Sequence, residues 1–306
     1  MSASTEQAQQ PRGRAPYGFA GGQAKVVAAG RVVELPLFCH RVDCFFSVHL
    51  ASFEAVRELL PSHELVPVRW FDGHAAIEVA ALRYLDVTAT VDGRATTLTP
   101  YAEVVVTVLA SRHVLPPGVS MLASEHLRAG SFVLDSAVTS GEARDVAREG
   151  FGFPSFVADL AFVDSPTVQA VSVSDGERQV LDLRVRPGGR MVRVRQPWVL
   201  YSSLGGALLE THAPATGWRL GRTGSRAAAL GLGDHPVAQR LRDLELHTDS
   251  LASASYLGLR RILPAGHPVA SARAWPGHPG EDREQGRYVV DHGGTGDPQA
   301  APMLPA

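Results

Sequence analysis

Residues 168–199 read VQAVSVSDGERQVLDLRVRPGGRMVRVRQPWV. Residues 168–173 and 179–185 place apolar and polar residues by turns, the two-residue period of a strand with one buried face. Between them, Ser174-Asp175-Gly176-Glu177 holds the Asp-Gly pair that tight hairpin turns favour. Pro187-Gly188-Gly189 then leads into a third strand, 191–201. Strands joined by turns this short predict an antiparallel meander, and a closed or nearly closed barrel is the natural way to hide its edges.

Working outward, residues 26–37, 44–50, 75–86, 101–110, 131–138, 157–162 and 206–209 carry the same β-branched or aromatic enrichment between turn residues. Three short helices are expected to interrupt them. Ser52 can cap one that runs to Leu60 and stops at Pro61, with Phe53, Val56 and Leu60 on one face. Ser140 can cap a second, ending at Gly150, with Ala143, Val146 and Ala147 inward. His235-Pro236 opens a third that runs to Leu244. The fold class is mainly β, of the α+β kind, with a few short peripheral helices. Residues 1–25 and 269–306 lack apolar periodicity and are expected as disordered tails around a single domain, 26–268.

The 306 residues carry a formal net charge of -2, which argues against a nucleic-acid partner because phosphate contacts need a basic surface. There is no signal peptide and no apolar run of spanning length, so no membrane partner and a cytoplasmic location are expected. Cys39 and Cys44 flank His40, Arg41, Val42 and Asp43. Two buried free thiols are expected there, since a zinc site needs more ligands than this stretch offers. Of the 29 basic residues, 28 are arginine and Lys25 is the one lysine.

Four blocks carry a family resemblance. They are Phe53 to Pro61 (FEAVRELLP), Pro100-Tyr101-Ala102-Glu103 with the apolar run after it, Ala147 to Pro154 (AREGFGFP), and Leu232 to Pro236 (LGDHP) continuing to Leu263-Pro264. Their order and spacing, over about residues 30 to 265, resemble the acetoacetate decarboxylase family. That resemblance implies one antiparallel β-barrel of conical shape with the ligand in its interior.

It also implies a loss. In the family the residue after the aromatic-Pro pair is the lysine that forms an imine with the substrate ketone, with a second lysine beside it. Here those positions are Ser155 and Phe156. Serine forms no iminium, and arginine cannot substitute because its guanidinium stays protonated. Lys25 falls in the expected N-terminal tail, far from this block, and is a poor rescue candidate. An arginine that the family keeps near its lysine falls on Val42 by counting back from Pro61, with His40 and Arg41 alongside.

What the resemblance retains is acidic. Glu103, after Tyr101, matches the family's active-site carboxylate, and Glu78 matches a second by strand position. Burial in a barrel would raise such a carboxyl into the range of general acid/base work, and two across one pocket could share a proton or divide the roles. The alternative for each is a strand residue on the wet face. Tyr101, Ser155, Phe153, Phe156, Arg148, Asp135, Ser136, His40 and Arg41 are further substrate-binding candidates. For Arg148 the alternative is a helix-end ion pair, and for Asp135 a solvent-facing position. Phe153-Pro154-Ser155-Phe156 lacks the Gly-x-Ser-x-Gly elbow of a serine hydrolase.

The expected function is a cofactor-independent tailoring enzyme of secondary metabolism, a lyase, cyclase or isomerase. It would act on a carbonyl-containing small molecule, polyketide-like or an oxo acid, by cyclisation, dehydration or isomerisation. Neither a cofactor nor a metal is expected, and a homo-oligomer is. The alternatives are a non-catalytic binding or carrier protein using the same cavity and, more remotely, a scaffold barrel.

Overall fold

The computed structural model describes residues 24–70, 73–113, 129–195, 197–275 and 283–292. In chain order, β1 (Ala24–Ala28) and β2 (Arg31–Ser52) lead through α1 (Phe53–Leu59) and β3 (Val66–Pro67) to β4 (His74–Val91). Then come β5 (Arg94–Thr97), β6 (Tyr101–Ser111), β7 (Ala129–Val138), α2 (Gly141–Phe151), β8 (Ser155–Val157) and β9 (Asp159–Asp164). They are followed by β10 (Gln169–Asp175), β11 (Arg178–Val185), β12 (Arg190–Val194), β13 (Trp198–Leu204), β14 (Ala207–Ala213) and β15 (Ala215–Thr223). The chain finishes with β16 (Ala228–Leu232), α3 (Pro236–Asp243), β17 (Ser250–Leu263), β18 (His267–Ser271) and β19 (Tyr288–Asp291).

Among the described residues the strands form two sheets. The larger runs β12-β15-β17-β2-β4-β6-β7-β13-β14-β18, with β1, β3, β5 and β8 paired beside it, and the smaller runs β16-β11-β10-β9-β19. Trp198 on β13 meets Tyr256 on β17 with ring centroids 5.4 Å apart, although β2, β4, β6 and β7 lie between those strands in the sheet. Such contact requires the sheet to curl round an interior, as a barrel wall does. The mainly β class with three short helices is the one expected.

The wall is covered on both faces. Val79, Ala81, Val104, Val106 and Val108 turn outward and pack with Leu160, Phe162, Val171, Leu181, Leu183 and Leu230 of the smaller sheet and with Val237 and Leu241 of α3. Cys44, Phe46, Ala80, Leu82, Tyr84 and Val133 turn the other way, into the barrel. Burial on both faces explains why β4 and β6 read as nearly continuous apolar runs.

The structure corrects several expectations. β10 and β11 form the expected hairpin, but β11 goes on to pair with β16 while β12 pairs with β15 in the other sheet. Gly188 and Gly189 therefore make a crossing, not a second hairpin; a Cβ on Gly189 would collide with the Gly221 carbonyl oxygen. Residues 191–201 form two strands, separated where Pro197 has no N–H to give a ladder. Residues 26–37 bend at Ala29-Gly30, both at positive φ. The second helix stops at Gly152 (φ 66), not Gly150. His235 and Ser140 cap their helices through side chains, whereas Ser52 makes no such bond.

Seven strands were not anticipated: β3, β5, β15, β16, β17, β18 and β19. β15 and β17 are rich in Gly, Ala and Ser, types with low strand propensity; Gly217 is small because the Leu259 backbone lies against it. Residues 269–275 and 283–292 pack on the body instead of leaving it as a tail: β19 pairs with β9, and Trp275 Nε1 donates to Leu134 O at 2.9 Å. Lys25, expected in the disordered tail, lies instead in the β1–β2 hairpin, where its Nζ meets Glu34 Oε1 at 3.0 Å. Among the described residues no helix is long and apolar enough to cross a membrane.

Candidate functional site

β4 and β6 pair without a break in register from Ile77↔Val108 to Tyr84↔Tyr101. Alternation puts Glu78, Ala80, Leu82 and Tyr84 on one face of β4. Tyr101, Glu103, Val105, Thr107 and Leu109 occupy the matching face of β6, and all of these line two cavities in the barrel. The larger has a volume of about 140 Å³ and the smaller about 40 Å³. Glu103, Phe153 and Arg261 belong to both walls, so they form the partition between the two.

That partition is a hydrogen-bonded cluster. Glu103 is 8% exposed; Tyr84 Oη donates to its Oε2 at 2.9 Å, and Ser136 Oγ donates to its Oε1 at 2.7 Å. Arg261 Nη2 donates to Tyr84 Oη. The Arg261 guanidinium also lies 5.1 Å from the centre of the Tyr84 ring and 5.5 Å from that of Trp198, while Tyr101 stacks on Tyr84 at 4.5 Å. Burial pushes the Tyr84 hydroxyl well above its ordinary range, so it remains a neutral donor. Arg261 Nε is buried with no acceptor among the described residues. An N–H in that state is ready for an oxygen brought by a ligand.

A second polar group lies further into the larger cavity. Glu78 stands directly across from Thr107 in the β4–β6 register, with Arg219 and Tyr256 in the same wall. Burial raises the Glu78 carboxyl to about 7, against the opposing pull of Arg219. Thr107 is 3% exposed, and its hydroxyl has no hydrogen-bond partner among the described residues. Four residues separate Glu78 from Leu82, the partner of Glu103, which is roughly 13 Å at the strand rise. The expectation that the two glutamates share one proton therefore fails on distance. Cys44 lies in the same wall, but burial raises its thiol, which keeps it a poor nucleophile.

The structure brings Tyr101, Phe153, Glu103 and Glu78 to the cavities and leaves the other candidates outside both. Ser155 is fully buried in β8, its hydroxyl without a partner among the described residues. Phe156 points into the core between the sheets and stacks on His235 at 5.7 Å. The position expected to carry an imine-forming side chain pairs with Ser136 in the β7–β8 register, on the face opposite Phe156, and lines neither cavity. Arg148 Nε donates to Ser155 O at 2.7 Å, tying α2 to β8. Asp135 is 1% exposed and takes Arg240 Nη1 on both oxygens, at 2.7 and 2.8 Å, which anchors α3 to the wall. His40 Nε2 bonds Thr88 Oγ1 at 2.8 Å within the β2–β4 pair, and Arg41 is exposed. The chain's one lysine, Lys25, has a side chain 65% exposed. Among the described residues, no three His, Cys, Asp or Glu side chains are grouped to hold a metal ion.

Tyr84, Thr107, Arg219, Tyr256 and Arg261 are functional candidates that reading the sequence missed, whereas Ser136, a pocket candidate from its sequence, bonds Glu103. Tyr84 and Thr107 share parity with Glu78 and Glu103, which is signal enough once the strands are known. Arg261 alternates with Leu259 and Leu263, both buried, so an arginine at that position should have been read as facing inward. Arg219 sits in a glycine-interrupted strand and offered no signal.

No protein-family model and no curated protein sequence matches this chain. Solved structures do. An acetoacetate decarboxylase structure superposes with a TM-score of 0.58 at 16% identity, covering 78% of this chain and 90% of that one. The acetoacetate decarboxylase of Legionella pneumophila gives 0.56 at 14% identity, over 89% and 99%. The enduracididine biosynthesis enzyme MppR, complexed with pyruvate, gives 0.53 at 10% identity, over 88% and 99%. The chain therefore has the acetoacetate decarboxylase fold.

Proposed function

We propose that this chain is a tailoring enzyme of secondary metabolism that enolises a carbonyl substrate in the barrel, leading to cyclisation, dehydration or isomerisation of a polyketide-like or oxo-acid compound. One observation carries the reading. A carboxylate held by two hydroxyl donors, Glu103, shares a partition with a guanidinium, Arg261, whose Nε hydrogen lacks an acceptor among the described residues.

A substrate carbonyl oxygen accepting from Arg261 Nε would gain stabilisation as negative charge develops on it. Glu103 keeps lone pairs beyond the two already engaged, and these can take the proton from the α-carbon as the C=C bond of the enolate forms. Returning that proton to another carbon completes an isomerisation. Attack of the enolate carbon on a second carbonyl closes a ring, and expulsion of a β-hydroxyl, protonated as it leaves, gives a dehydration. Each step moves protons and electron pairs within the substrate, so neither redox nor metal chemistry is required. An imine is not part of the scheme, because the one lysine is an exposed residue of the β1–β2 hairpin. The binding of pyruvate, an oxo acid, by MppR in the same fold supports the substrate class.

Proton exchange tests this reading. Oxo acids and methyl ketones incubated with the protein in deuterium oxide should lose their α-proton NMR signals, and Glu103→Gln should slow the loss at least ~100-fold with affinity retained. Binding of these compounds without exchange by the native protein would make it a carrier instead. Exchange unaffected by Glu103→Gln would overturn the assignment of the base.

A further inference from the structure

Along β4 and β6 the wall of the larger cavity is polar at two places and apolar between them. At one end stand Glu103 and, across from it, Arg261; at the other, Glu78 and Thr107, and Arg219 and Tyr256 belong to the same lining. The wall between carries Ala80, Leu82, Val105 and Phe46. The β4–β6 register is unbroken over this stretch, so the two ends are roughly 13 Å apart along the strands. Two buried polar atoms, Arg261 Nε near one end and Thr107 Oγ1 at the other, have no partner among the described residues. Buried polar atoms are left unpaired at a cost that a bound ligand can offset.

We propose that the substrate is an elongated molecule with two polar ends: a carbonyl held at Glu103 and Arg261, a second oxygen, hydroxyl or oxo, held at Thr107 and Glu78, and a reduced hydrocarbon stretch between them. This rests on the reading of Glu103 and Arg261 as the carbonyl site and specifies what that site's substrate looks like. A chain oxygenated at every second carbon is disfavoured, because middle oxygens turned to the β4–β6 wall would lie against Ala80, Leu82 and Val105, which offer no hydrogen bond. Length follows from the spacing. An extended chain advances roughly 3.5 Å per three bonds, so about ten carbons span the gap once the side chains reach inward. The volume of about 140 Å³ holds on the order of ten water positions, which is in keeping with a chain of that size.

Calorimetric titration with methyl ketones bearing a terminal hydroxyl, about six to fourteen carbons long, tests this against plain 2-alkanones of equal length. The hydroxyketones should bind with an optimum near ten carbons, at least tenfold tighter than the matched alkanone. Thr107→Val should abolish that advantage and not lower the melting temperature, since the hydroxyl has no partner to lose among the described residues. Equal affinity of the two series at every length, or an advantage that survives Thr107→Val, would overturn the proposal. If the alkanones still exchange their α-protons in those cases, the carbonyl site stands and only the two-ended substrate falls. Absence of exchange from every ketone would instead remove the carbonyl reading, and this proposal with it.

Discussion

Glu103 and Glu78 share a face of the sheet and a cavity, but their surroundings differ. Glu103 receives two hydroxyl hydrogen bonds. Glu78 is held at about 7 by burial, against 4.5 for a free glutamate. The folded protein therefore keeps a proton on Glu78 that the unfolded chain gives up between those values, and stability falls as pH rises through about 4.5 to 7 before levelling. In Glu78→Gln that contribution disappears. Thermal unfolding at pH 5 and pH 8 should show a smaller loss in the variant, the difference being at most about 3 kcal/mol. Ser155→Ala, by contrast, removes a buried hydroxyl that lacks a partner among the described residues. Its melting temperature should hold or rise by the equivalent of up to about 1 kcal/mol, and its turnover should match the native enzyme. Both glutamates were legible as inward residues from strand parity and family motif. That Ser155 lines neither cavity was not legible, because a motif gives order along the chain and says nothing of how neighbouring side chains close a wall.

Among the elements, α2 does the most to shape the smaller cavity, which Ala143, Val146, Ala147 and Phe151 line. Its end is fixed by Gly152, whose φ of 66 is left-handed and whose missing Cβ would sit 2.8 Å from Ser203 O and Leu204 Cβ. Gly152→Ala should lower stability by about 2 kcal/mol in denaturant unfolding, from backbone strain and the clash together, and should weaken ligands that reach the smaller cavity. α3 is held differently. Asp135→Ala leaves Arg240 without its buried partner and should cost about 3 kcal/mol while leaving ligand affinity intact, since neither residue lines a cavity. The three helices were legible from apolar spacing, two of them also from their caps, with an error of one glycine at the end of α2. β15 and β17 were not, because small residues that let strands pack closely look like loop in a sequence. Missing those two strands also hid Arg219, Tyr256 and Arg261.

At the scale of the whole molecule, a sheet curled on itself and covered by a second sheet leaves an interior with two adjoining cavities, and the polar side chains that line them are few enough to be assigned. The sequence foretold a barrel, but as a simple meander. The crossing of β12 to the larger sheet depends on close backbone contacts at Gly189 and Gly221, which local turn chemistry does not encode. The central claim is that carbonyl chemistry takes place at the Glu103–Arg261 partition without an imine. A crystal structure with a ten-carbon hydroxyketone bound tests it most directly. The account predicts the carbonyl oxygen within about 3 Å of Arg261 Nε and the α-carbon roughly 3–3.5 Å from a Glu103 oxygen. A ligand bound with its carbonyl away from both residues, or a covalent bond from the ligand to Lys25, would contradict it.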